Sequence, residues 1–368
     1  HLLSRRQRQM CIRDRYTMKI KHLISTSALV AVAVACASAT APNYTVTVPL
    51  TEDEDDMVAY IVDFDSGDKI DSTIVVNGVA KFQGNITTPV MATISMEGSR
   101  LGSLVLEPGN INVDIKSRKI TGTPINDYVE KWEKQIGELQ NEARSLPQDS
   151  SYEQKSQELY NRFLALNEKA FKDNANNAFG YYMFLQQCYE TDLKSLNEKL
   201  KEYPQFANGK RIAKLRTALI NKEETSVGHK FKDFAITNNG KTQRLSDYIG
   251  KGKYTLVDFW ASWCGPCIRE TAIIKELYNK YHDKGLNVLG VAVWDEPQNT
   301  LKAIEQHQLP WEQIINAKTV PTDIYGISGI PCIILFDPEG NIISRDKQDE
   351  DLVKDVDAAM LKAAAIEN

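Results

Sequence analysis

KYTLVDFWASWCGPCIRE, residues 253–270, places a run of apolar and aromatic residues directly before two cysteines, Cys264 and Cys267, separated by Gly-Pro. The run predicts a buried strand over Tyr254 to Trp260 and a helix from about Pro266 to His282, whose apolar positions include Ile268, Ile273, Ile274 and Leu277. Two cysteines so close can form a redox couple, half of a metal site or a structural staple. A metal site needs a second ligand pair, and His229, His282, His307, Cys188 and Cys332 offer none at ligand spacing. A staple across two residues closes so short a loop that it adds little stability. The redox couple remains. Pro266 suits a first helical turn, where its missing N–H costs nothing, and the free N–H groups and dipole of that turn stabilise a thiolate at Cys264. Cys267, further into the helix, is expected to be more buried and less acidic, so Cys264 attacks and Cys267 resolves.

The alternation of strands and helices continues around this core. A hairpin is expected near Phe234–Lys241, a strand over Asn287 to Trp294 and a helix from about Gln298 to Gln308. Ile330-Pro331 leads into the strand Cys332–Phe336, a Pro-Glu-Gly turn ends at Gly340, Asn341–Ser344 returns, and a last helix begins near Asp349. Hairpin-type strands after a βαβ half imply a mixed sheet with helices on both faces.

Upstream, residues 44–117 alternate with period two, and Ser66-Gly67, Asn77-Gly78 and Pro108-Gly109 punctuate them, which predicts a small antiparallel β domain. From Pro124 the period becomes helical: Tyr128, Trp132, Ile136 and Leu139 share one face, as do Leu159, Phe163, Leu166 and Ala170, with breaks at Pro147 and Pro204. Residues 118–225 are expected to form a helical linker region, its aromatic stripes and Cys188 serving as core. At the beginning, residues 1–17 read as a tract foreign to the gene product, which is expected to start at Met18. Lys19, Lys21 and His22, an apolar stretch from Leu23 to Ala37 and the small residues Ala37-Ser38-Ala39 form a secretory signal pattern over 18–39. Lipidation of Cys36 is the alternative to cleavage, disfavoured because Ala33 stands where Leu is preferred.

Without residues 1–39 the net charge moves from −5 to −11. An acidic chain with no basic run excludes nucleic acid as a partner, and no segment after the signal is long and apolar enough to span a membrane. Six cysteines in 368 residues are too few for a disulfide-built scaffold.

Val257-Asp-Phe-Trp-Ala-Ser-Trp-Cys-Gly-Pro-Cys267 resembles the thioredoxin active site. The flanks Val227–Phe234, Leu245–Lys251 and Ser328–Pro331 are similar to the exported TlpA/ResA family of thiol:disulfide oxidoreductases, over about residues 226–364. The resemblance implies a thioredoxin-like α/β fold with no cofactor beyond the redox-active disulfide and no metal. It makes Asp258, beneath the cysteines, a proton acceptor for Cys267, where many exported relatives carry Asn. It makes Pro331 a cis-proline that leaves the Ile330 backbone free to pair with an extended substrate, and places Trp263, Gly265 and Pro266 at the substrate surface with Ile330 and Cys332. Cys332 stands where Thr is usual, and a loop placed as in the family turns this third thiol toward the pair. Trp260, Asp295 and Glu296 are weaker candidates, the two acids lying where relatives place an acidic residue near the site.

The implied function is reduction of disulfides in exported proteins of the periplasm or envelope, recharged by a membrane thiol donor of the DsbD/CcdA type, with cytochrome c maturation as a fitting pathway and a homodimer as an open state. One rival is a peroxiredoxin-like peroxidase, because Gly228 opens a similar Gly-x-x-Phe-x-x-Phe stretch. Those enzymes carry Thr three residues before a lone cysteine, whereas Ala261 stands there and Cys267 follows. The other makes residues 44–222 a client-binding or dimerising module whose redox site acts as oxidant or isomerase.

Overall fold

The computed structural model describes residues 41–366, and the start at Met18, the signal pattern, Cys11 and Cys36 lie outside the described residues. Eight strands form a sandwich: β1 (Tyr44–Pro49), β2 (Val58–Asp63), β3 (Lys69–Ile74), β4 (Val79–Gly84), β5 (Val90–Met96), β6 (Ser99–Leu106), β7 (Gly109–Asp114) and β8 (Lys119–Thr121). Their orders are β4-β1-β7-β8 and β3-β2-β5-β6. The period-two alternation turns Val46, Val48, Phe82, Ile111 and Val113 of one sheet onto Ala59, Ile61, Ala92, Ile94 and Leu104 of the other. The antiparallel expectation needs one amendment, since β1 and β7 pair in parallel. The Asn77-Gly78 turn is present, with φ of 52° and 68°. It carries only the bridge Val76 to Val79, because β3 then joins β2 and β4 joins β1, so the turn crosses between sheets instead of closing a hairpin. β8 also extends the sandwich beyond residue 117.

Five helices follow: α1 (Pro124–Arg144), α2 (Tyr152–Asn174), α3 (Ala178–Cys188), α4 (Leu193–Glu202) and α5 (Lys210–Glu223). Their core is aromatic, with Phe171, Phe179, Phe184, Tyr203 and Phe206 packed against Val105 of the sandwich. Cys188 is fully buried there as a small apolar side chain. The α2 stripe is only partly core: Leu159 and Ala170 are buried, whereas Phe163 is exposed, because it lies on the length of α2 with little packed over it. At the sandwich edge, Asn126 of α1 donates Nδ2 to the Val105 carbonyl at 2.7 Å and accepts the Val105 N–H at 3.0 Å, occupying the place of one more strand residue beside β6.

The last part is a five-stranded mixed sheet in the order β13-β12-β11-β14-β15, from β11 (Tyr254–Trp260), β12 (Leu286–Val293), β13 (Glu312–Lys318), β14 (Cys332–Phe336) and β15 (Ile342–Arg345), with a side hairpin β9 (Ala235–Asn238) and β10 (Lys241–Arg244). β11 is parallel to β12 and antiparallel to β14. The α6 (Gly265–Tyr281), α7 (Pro297–Gln306) and α9 (Asp349–Ile366) helices cover one face. The other is covered by the short α8 (Val320–Tyr325) and the β9–β10 segment. β13 and α8 are not expected from the sequence. Gln313 and Asn316 interrupt the apolar pattern of β13, and six residues are too few for α8 to show a period.

Candidate active site

Alternation along β11 sends Leu256 and Trp260 toward α6 and Val257 and Phe259 to the opposite face, and Asp258 shares the α6 side. A carboxyl therefore lies in a fully buried central strand. Burial, then the neighbouring charge of Glu270, pushes Asp258 up to about 8, and its Oδ1 has no hydrogen-bond partner.

After Trp260 the chain turns through Ala261–Trp263 into α6, where Cys264 is the N-cap. Its Sγ accepts the Cys267 N–H at 3.2 Å, and the two cysteines are joined as a disulfide with Cα atoms 5.3 Å apart. Cys264 is 4% exposed and Cys267 0%, so the difference in access is small. Gly265 and Pro266 are exposed beside them. Trp263 is 61% exposed, its Nε1 donating to the Trp294 carbonyl at 3.0 Å, while the buried Trp260 donates Nε1 to Gln313 Oε1 at 3.1 Å.

Ile330–Pro331 is a cis peptide, and the Ile330 carbonyl oxygen lies 3.7 Å from Cys264 Sγ. The cysteine pair, Trp263, Gly265, Pro266, Ile330 and Pro331 thus gather at the N-terminal end of α6, with Asp258 in the layer between sheet and helix.

Three candidates are placed differently. Cys332 turns away from the cysteine pair: as the first residue of β14 it packs with Ile334 and Phe336 on the α8 face, while Ile333 and Leu335 face α6. Its thiol donates to Asp346 Oδ1 at 3.1 Å, and burial and then the Asp346 charge push it well above the usual cysteine range. Asp295 braces the active-site loop. Its carboxylate accepts the Ser262 N–H (2.8 Å) and hydroxyl (3.0 Å) and the Thr300 hydroxyl (2.8 Å). Glu296 is exposed at the start of α7 and contributes only backbone there.

Glu270 is the residue missed in the sequence. It is 4% exposed, one turn beyond Cys267 on the buried face of α6, and accepts the Asp349 N–H at 3.0 Å. Burial and the Asp349 charge raise its carboxyl, the Asp349 hydrogen bond partly offsetting them. Cys267, Glu270, Ile274 and Leu277 follow helical spacing, so an acid inside that stripe is a signal that could have been read. Among the described residues no group of three or more His, Cys, Asp or Glu is placed to hold a metal ion, and no helix is long and apolar enough to cross a membrane.

Residues 227–345 match the AhpC/TSA family, and residues 44–128 match a domain of unknown function, DUF4369. Thiol-disulfide oxidoreductase ResA of Geobacillus thermodenitrificans is 33% identical over 33% of this chain and 69% of its own length. ResA of Bacillus cereus is 30% identical over 34% of this chain and 72% of its own. A solved thioredoxin domain of a thiol-disulfide oxidoreductase from Bacteroides vulgatus is 34% identical, covering 36% of this chain and 96% of its own at a TM-score of 0.33. With a cysteine pair capping a helix beside a thioredoxin-like sheet, and relatives of this identity over more than two thirds of their length, the chain belongs to the thioredoxin-like thiol-disulfide oxidoreductases of the ResA family.

Proposed function

We propose that the protein reduces disulfides of exported proteins in the periplasm or cell envelope. The reduced Cys264 thiolate attacks one sulfur of the substrate disulfide, the other substrate sulfur leaves and takes a proton, and a mixed disulfide forms. Cys267 then gives its proton to the Asp258 carboxylate and attacks Cys264 Sγ, which releases the second substrate thiol and leaves the Cys264–Cys267 disulfide. Two electrons pass from the dithiol to the substrate. Glu270 holds negative charge near Asp258, and Ile330 and Pro331 receive an extended substrate segment with Trp263, Gly265 and Pro266 at the rim. No further cofactor is required.

The observation that carries this reading is the Cys264–Cys267 pair at the N-terminus of α6 with an unpartnered buried Asp258 on the facing strand. Gly-Pro between the cysteines is the dipeptide of reducing thioredoxins. Recharging is assigned to a membrane thiol donor of the DsbD/CcdA type, and disulfides awaiting haem attachment in cytochrome c maturation are one fitting client class. Residues 226–364 are the redox module in this reading, and 44–225 the module that selects the client. Redox titration of the mature chain is expected to give a potential below about −200 mV. A value near −120 mV, that of a strong oxidant, would overturn the reductase direction in favour of oxidation or isomerisation. Cys267→Ala is expected to retain the client as a mixed disulfide on Cys264, which mass spectrometry identifies.

A further inference from the structure

α5 reaches from the sandwich to the segment before Pro331. At its N-terminus the β2–β3 turn supplies the cap: Asp65 accepts the N–H groups of Lys210 (2.7 Å) and Arg211 (2.9 Å) and the Tyr181 hydroxyl. Arg211 lies over the Phe64 ring at 4.2 Å and donates Nε to the Phe64 carbonyl. Fourteen residues later, about 21 Å along the axis, the helix ends against α8. Asn221 Nδ2 donates to the Asp323 carbonyl at 2.8 Å, and the buried Thr225 donates to the Tyr325 carbonyl at 3.2 Å. Arg345 ties both sides, Nη1 to the Thr225 carbonyl and Nη2 to the Tyr325 carbonyl, each at 2.7 Å.

Gly326 follows at once, with φ of 59°, and a Cβ there would stand 2.1 Å from the Ala218 carbonyl oxygen of α5. The next residues, 327–331, are the loop whose Ile330 carbonyl lies beside Cys264 Sγ. A second route reaches the other end of that loop. Lys222 of α5 pairs with Asp346 Oδ2 at 3.3 Å, and Asp346 Oδ1 accepts the thiol of Cys332, the residue after Pro331. α5 therefore contacts the loop's supports on both sides.

We infer that α5 is a positioning strut through which the N-terminal sandwich sets the height of the Ile330–Pro331 loop over Cys264, with Asp65, Lys222 and Gly326 as positioning residues for substrate binding. The inference rests on the loop receiving the substrate as proposed above. Packed and hydrogen-bonded rigid elements can carry coupling of this kind, and the capped helix with its two clamped contacts is one. Small shifts of the loop change how well an extended segment docks while leaving the disulfide and its helix cap unaltered.

The test uses the mature chain with Asp65→Ala, which frees the far end of α5, and Lys222→Ala, a surface change that leaves the core intact. With insulin as substrate and dithiothreitol as reductant, each variant is expected to raise KM about fivefold with kcat within twofold. The rate at which dithiothreitol reduces Cys264–Cys267 in the absence of insulin is expected to stay within twofold. Amide exchange in residues 326–332 is expected to quicken in both. An unchanged KM, or a KM that moves together with the dithiothreitol rate, would overturn the inference. If the parent protein does not reduce insulin, the proposed function fails there, and exchange at 326–332 decides the strut alone: unchanged exchange in both variants overturns it.

Discussion

In the proposed mechanism the buried Asp258 is the group expected to give the site its pH dependence. Folded Asp258 keeps its proton up to about pH 8, whereas an unfolded aspartate releases it near pH 4. Between those values the folded state binds more protons, so this carboxyl makes stability fall as pH rises. Asp258→Asn is therefore expected to stabilise the oxidised protein by on the order of a few kcal/mol above pH 8, an advantage that shrinks as pH falls and vanishes near pH 4. Urea unfolding across that range measures it. The same substitution is expected to slow substrate turnover by about a hundredfold or more and to remove an inflection near pH 8 from kcat/KM. Glu270→Gln, which deletes the adjacent negative charge, is expected to move that inflection to lower pH. Cysteine labelling follows thiolate character: in the reduced folded protein iodoacetamide should label Cys264, the N-cap of α6, first, while Cys188, pushed up to about 11 by burial, and Cys332, pushed well above the usual range, stay unlabelled until unfolding, as peptide mass spectrometry would show.

Among the elements, the loop between β11 and α6 depends on a brace from the next βα connection. Asp295 satisfies the Ser262 N–H and hydroxyl and the Thr300 hydroxyl together, so Asp295→Ala strands several half-buried donors. The expected cost is about 1 to 3 kcal/mol, read as a lower urea midpoint. The legible parts of the fold are those whose pattern is local. β11, α6 and the cysteine couple were readable because an apolar run, Pro266 and helical spacing fall within one short stretch. β13 was not, because its burial comes from β12 beside it and from α8 and the β9–β10 segment packing over a mixed Gln-Ile-Ile-Asn segment. The orientation of Cys332 escaped for another reason: a loop resemblance placed the residue near the site, but strand parity decides its face, and parity begins only at β14. Asp295 was found as a position, while its role as a brace depends on Ser262, which is 33 residues away.

At the level of the whole chain, aromatic packing holds α1–α5 on the sandwich, and the capped α5 carries that assembly to α8 of the C-terminal domain. That integration starts at the edge of β6, where the Asn126 amide fills a ladder position with both its donor and its acceptor. A ladder position filled by a helix side chain is closed to pairing with another strand. A chain ending at residue 121 would lack this cover and leave the Val105 N–H and C=O facing water, so it should form higher-order species in light scattering where a chain ending at residue 223 stays dispersed. The consequence reaches back to synthesis: a nascent sandwich without α1 is expected to hold the Val105 position of β6 open to a neighbouring strand, and Asn126 is the residue that closes that position.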